Sequence, residues 1–151
     1  MKVDYIVAFS PTQKQQILDR FGLNVGGRTQ KVVDTVFMSY LDKYMPADSD
    51  MQMINSMYRA TRPGSGEINI NAPHAHYQNE GELYVDPKTG KGAFYNSITG
   101  RYWSRPGIKK VTSGKKLNYH GGPNRGDHFT ERMLADHFED IVKEGQKEIN
   151  K

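Results

Sequence analysis

Five histidines are the side chains of this sequence best suited to coordination chemistry. His74-x-His76 followed by Glu80 has the ligand types of a two-histidine, one-carboxylate metal site, which His120 or His128 could complete. Such a site needs its ligands to converge on one point and leave a position open. Pro73 favours a turn here, where the same histidines would hydrogen-bond locally instead. His128, Arg132 and Asp136, four apart, fall on one helical face that solvation alone accounts for. Gly121-Gly122-Pro123-Asn124-Arg125-Gly126 precedes a helix but lacks the Lys-Ser/Thr of a phosphate loop. Thr89-Gly90-Lys91-Gly92 has a lysine but no helix signal after it. No nucleophile stands with a base at recognisable spacing, and no paired carboxylates appear. Neither catalysis nor a cofactor is expected.

A basic, aromatic middle segment is the stronger feature. Residues 87–126 hold nine Lys/Arg and no Asp or Glu, whereas the flanks 1–86 and 127–151 are mildly acidic. The net charge of +4 therefore conceals one cationic patch. Arg101, Tyr102, Trp103 and Arg105 could stack on and neutralise a nucleic acid, with Lys88, Lys91, Lys109, Lys110, Lys115 and Lys116 adding phosphate contacts. The same groups could equally meet an acidic protein surface, with Trp103 as a buried anchor.

The length of 151 residues predicts one domain, 1–151, with 87–114 protruding from it as an arm. Absence of cysteine excludes disulfide scaffolds, thiol nucleophiles and thiolate metal sites. The opening MKVDYIVAFSPTQKQQ lacks the basic flank and apolar run of a leader. No window of about 18 apolar residues predicts a membrane span. Only 36% of residues are hydrophobic, yet 11% are aromatic, which argues for a modest core supplemented by neighbours rather than for disorder.

The elements that must position these residues are legible in outline. Ser10-Pro11-Thr12-Gln13 reads as a capping box opening a short helix, with Gly22 closing it. A second helix should span about 29–44. Its stripe is Val32, Val33, Val36, Phe37, Tyr40 and Leu41, facing a sheet, with Lys31, Asp34, Ser39 and Asp42 opposite. Residues 47–65 suit either a helix or a strand. Glu67–Asn71 alternates as a strand, Pro73–Tyr77 suits a turn or one helical turn, and Leu83–Val85 is a second strand. Turn dipeptides and aromatics through 88–114 suggest a hairpin or a docking arm. Leu117–His120 is a further strand candidate. Asp127 should cap a last helix with the stripe Phe129, Met133, Phe138, Ile141 and Val142 and a fraying polar tail. The expected fold class is α+β: a small, mainly antiparallel sheet packed by an amphipathic N-terminal helix and a C-terminal helix.

Taken in order, several motifs resemble one family. Gly22-Leu23, Gly26-Gly27, Gln30-Lys31, Val33-Asp34 and Tyr44-Met45-Pro46 are followed by Asn71, Pro73-His74-Ala75-His76-Tyr77 and Gly81. Then come Val85-Asp86-Pro87-Lys88-Thr89-Gly90-Lys91-Gly92-Ala93-Phe94, Gly100-Arg101, Trp103-Ser104-Arg105-Pro106-Gly107, Lys109-Lys110 and Leu117-Asn118-Tyr119. Arg125-Gly126, Phe129, Glu131-Arg132-Met133 and Ala135-Asp136-His137 close the series. This pattern, over roughly residues 20 to 145, resembles the minor capsid proteins of tailed bacteriophages and prophages. It is also similar to the neck and tail-completion proteins of long-tailed phages. His74 stands where an aromatic is common, and Phe129-Thr130-Glu131-Arg132 where Trp-Phe-Glu-Arg is frequent; these departures bear only on local packing.

The resemblance implies a ring subunit without catalysis at the head–tail junction, assembled in the host cytoplasm. Six or twelve copies would contact one another, other neck, portal-adaptor or tail proteins, and DNA in the channel, but no membrane. Val33, Val36, Phe37, Tyr40, Leu41, Phe129 and Met133 would form the core.

Overall fold

A computed structural model describes residues 8–47 and 50–151. Residues 1–7, on which the leader argument partly rests, lie outside the described residues. The helices are α1 (Pro11–Phe21), α2 (Arg28–Tyr44), α3 (Gln52–Ala60), α4 (Ala75–Glu80) and α5 (Phe129–Ile149). The strands are β1 (Glu82–Val85), β2 (Phe94–Asn96), β3 (Arg101–Trp103) and β4 (Val111–Lys116). The fold is α+β, its strands forming two antiparallel ladders, β1–β4 and β2–β3. No described helix is long and apolar enough to cross a membrane.

α1 forms as its sequence dictates. The Ser10 hydroxyl accepts from the Gln13 amide at 3.2 Å, the Gln13 side chain accepts from the Ser10 amide at 2.9 Å, and Gly22 closes the helix at φ 63°. Its connection to α2 is tight. The buried Thr29 hydroxyl donates to the Phe21 carbonyl at 2.6 Å, and the Gln30 amide donates to the Gly22 carbonyl at 2.9 Å. A Cβ on Gly27 would collide with the Gly22 carbonyl.

α2 and α5 pack antiparallel and carry the core. Met38, Leu41, Tyr44 and Met45 meet Phe129, Met133 and Ile141, and Met53, Ile54 and Met57 of α3 close the side. Gly145 lets α5 approach α2 closely, because a Cβ there would stand 3.1 Å from Val33 Cγ2. Arg28 binds Glu148 at one end of the pair at 3.0 Å, and Tyr44 donates to Asp136 at the other at 2.6 Å. Arg125 donates to the Asp42 and Met45 carbonyls, both at 2.5 Å, and so satisfies acceptors that the end of α2 leaves open.

Several expectations change. The contact expected between the long helix and a sheet is chiefly helix on helix. Leu41, Phe129 and Met133 are core as expected, but Val33, Val36, Phe37 and Tyr40 are half-buried around it. The buried line of α2 runs instead through Thr29, Asp34, Met38, Leu41 and Tyr44. Asp34, expected on the polar face, is buried and accepts from the Gly64 and Gly66 amides at 2.7 and 3.1 Å, pinning the Pro63 turn to α2.

The stretch 47–65 contains α3. Residues 67–71 keep their alternation, with Ile68 and Ile70 packed inward, but form no ladder. There the Asn69 backbone both donates to and accepts from the Thr61 hydroxyl. The last strand lies at 111–116 rather than 117–120. Leu117 donates instead to the Gly81 carbonyl at 2.8 Å, and the Tyr119 hydroxyl to the Gln78 carbonyl at 2.6 Å. α5 opens from His128 at φ 43° with no side-chain cap, so Asp127 does not cap it. Its tail is anchored rather than frayed, since Glu148 is buried against Arg28 and Lys151.

The burial pattern sets two mutational expectations. Met133→Ala, at a fully enclosed site, should cost about 2–5 kcal/mol in urea denaturation. Leu18→Ala, on exposed α1, should change the stability of the dilute monomer by no more than about 0.5 kcal/mol.

Candidate functional site

The arm is held at its base by one buried carboxylate. Asp86, at the end of β1, accepts from Arg105 Nε at 2.7 Å and from the second Arg105 nitrogen at 2.6 Å, a bidentate pair. It also accepts from the Lys88 amide at 2.8 Å, and its own amide donates to the Lys91 carbonyl at 2.9 Å. Lys110 donates to the Gly92 carbonyl across the same neck. Arg105 holds the Asp86 carboxyl below its usual value, with the Lys88 and Thr89 amides acting in the same direction against burial.

Beyond this clasp, β2 and β3 form a hairpin closed by an Asn96 turn. The Asn96 side chain accepts from the Ile98 amide at 2.9 Å, and Gly100 takes φ 66°. Register pairs Phe94 with Trp103 and Tyr95 with Tyr102. Their ring centroids stand 5.1 and 5.2 Å apart. An isolated two-stranded hairpin is marginal in water, and such aromatic cross-strand pairs are its principal local support. Lys91 lies over the Phe94 ring at 5.8 Å.

The outward chemistry is mixed. Tyr95, Tyr102 and Trp103 are exposed, and Ile98 at the tip is 94% exposed. Lys88, Lys91, Arg101, Lys109, Lys115 and Lys116 are exposed around them. Arg105 and Lys110 are spent inside the arm's neck, and Arg125, the remaining cation of 87–126, binds the end of α2. The cationic segment thus divides into six outward groups and three that hold the fold.

The histidines separate. His76 pairs with Glu80 at 3.1 Å, and His137 stacks on Tyr40 with centroids 4.2 Å apart. Among the described residues no three His, Asp or Glu converge on a metal position. Arg132 and Asp136, expected to be merely solvated, bond to the Asp127 and Asn124 carbonyls and to the Tyr44 hydroxyl. The Asp136 carboxylate raises the Tyr44 phenol above its usual value, with burial acting the same way.

The chain matches no protein-family model, no curated protein and no solved structure. The role of Asp86 in holding the arm is not legible in the sequence. Its local signal was the Asp-Pro-Lys-Thr turn chemistry, but its partner lies 19 residues away.

The clasp sets a pH expectation. A carboxylate whose folded pKa is lowered contributes stability that is present at neutral pH and lost as pH falls through that lowered value. Emission from Trp103, the single tryptophan, should therefore show an acid transition centred below the ordinary carboxylate value of 3.8. Asp86→Asn should remove that transition. Arg105→Met should speed tryptic cleavage at Lys88, Lys91 and Lys109 several-fold over the parent chain, as the freed neck opens.

Proposed function

We propose that this chain is a structural subunit of a tailed-phage neck, forming a ring of six or twelve copies that joins capsid to tail around the DNA channel. Its site is the virion head–tail junction, reached from the host cytoplasm during assembly. The observation that carries the reading is the clasped hairpin, which holds Tyr95, Ile98, Tyr102 and Trp103 outward on a fixed base. Exposed aromatic anchors beside arginine are what buried interface centres use. An apolar tip such as Ile98 has no use for a phosphate backbone but fits a pocket on an adjoining protein. The motif series over residues 20 to 145 supports the same reading. A ring repeats one interface many times, so a modest core and a projecting arm suffice for a stable assembly.

In this reading the arm reaches a neighbouring subunit or an adjoining portal-adaptor, neck or tail protein, and its lysines face an acidic surface. No catalytic group or cofactor takes part. Cryo-electron microscopy of particles from the producing strain should show sixfold or twelvefold density at the head–tail junction that fits this chain. Trp103→Ala should leave the helical body folded and abolish incorporation of the chain into particles. Equal incorporation of that variant would reject the arm as the joining element.

The six outward cations favour a second reading, a DNA-binding module. If all six met phosphates, duplex affinity would fall with salt at a log–log slope of roughly −5. A slope of that size, with retention on duplex DNA at physiological salt, would favour DNA; no retention would favour the structural role.

A further inference from the structure

α2 and α5 leave an open apolar groove of about 370 Å³ on their outer side. Val33 and Phe37 form one wall, Phe138 and Val142 the other, with Leu23 and Ile149 also lining it. Phe138 is 59% exposed although it stands on the apolar stripe of α5. The same chain carries a helix whose short apolar stripe is left open among the described residues. Every residue of α1 is exposed, including Ile17, Leu18 and Phe21. We infer that α1 of one copy docks into the α2–α5 groove of a second copy.

Three observations select that occupant. First, the lengths agree: the 11 residues of α1 span roughly 16 Å, and the α5 wall from Leu134 to Ile149 roughly 22 Å. Second, the charges are compatible. α1 carries Lys14 and Arg20 against Asp19 alone, and Glu131, seven residues before Phe138, is exposed on the same face of α5. Third, α1 is held away from its own groove. The Leu23 amide bonds to the Leu18 carbonyl at 2.8 Å, and the Thr29 and Gln30 bonds fix the junction. Folding back would break these bonds, whereas the helix of a neighbour can enter with them intact. Donor helix and acceptor groove are different surfaces, so the contact is head-to-tail and propagates into a ring when its rotation closes. The inference rests on the self-assembly in the neck reading and deepens it, but the contact itself requires only a second copy.

The cysteine-free sequence gives a direct test. Ile17→Cys and Val142→Cys both fall on exposed positions and should leave the fold intact. Mixed under mild oxidation, the two single variants should give a covalent dimer containing one of each. The double variant should give a ladder of multimers, and adding Phe138→Asp should reduce that ladder at least tenfold. The pair Ile98→Cys with Val142→Cys is the background control. Cross-linking no greater than that background would overturn the contact, whether the chain is monomeric or associates through other surfaces. A disulfide formed only within one chain would overturn it too. Strong 17–142 cross-linking by a chain absent from particles would keep this contact and reject the neck assignment.

Discussion

The antiparallel contact of α2 with α5 is the constraint from which the rest of the molecule hangs. Its closeness depends on Gly145, whose missing side chain leaves room for Val33. Its two ends are fixed by polar groups rather than by more apolar area, Arg28 with Glu148 at one and Tyr44 with Asp136 at the other. Between them lies a core rich in methionine, a side chain that fills irregular gaps without demanding a particular shape. α3 and the strap through Ile68 and Ile70 close over that core, the strap tied down by Asp34 and by the Thr61 hydroxyl.

The arm is connected to this body through α4. His128 at the start of α5 donates to the Asn79 carbonyl, and Leu117 after β4 donates to Gly81. The end of the β1–β4 ladder where Glu82 pairs with Lys116, and the start of α5, are therefore both tied to one short helix. The hairpin beyond has no core of its own. It combines local aromatic pairs with a non-local clasp, and the clasp matters more for direction than for existence. A bidentate arginine–carboxylate pair fixes orientation as well as distance, so the tip is aimed rather than tethered.

This arrangement separates cohesion from contact. Cations that hold the fold point inward onto carbonyls or a carboxylate, and those left outward surround exposed rings. Elsewhere, α1 and the α2–α5 groove expose apolar surface that a solitary domain would ordinarily cover. A chain built this way has two independent surfaces to offer, one at the arm and one along the helices. The proposed ring would use both, one for its own closure and one for its neighbours.

The sequence by itself determined whatever depends on near neighbours in the chain. The Ser10 capping box, the Gly22 stop, α2 and the acid-free segment all follow from residues within a few positions of one another. It also placed Leu41, Phe129 and Met133 in the core. Only the tertiary structure decided which side of α2 faces inward, because the burial of Asp34 depends on glycine amides 30 and 32 residues away. It likewise decided that Val111–Lys116 is a strand. That segment shows no alternation of its own and is extended because β1 supplies its partner. Phe138 and Val142 fall on the apolar stripe of α5 yet stand open, since periodicity tells which residues share a face and not whether anything covers that face. The pairing of Asp86 with Arg105 belongs to the same class: a long-range bond between groups of ordinary local sequence, which geometry alone brings within reach.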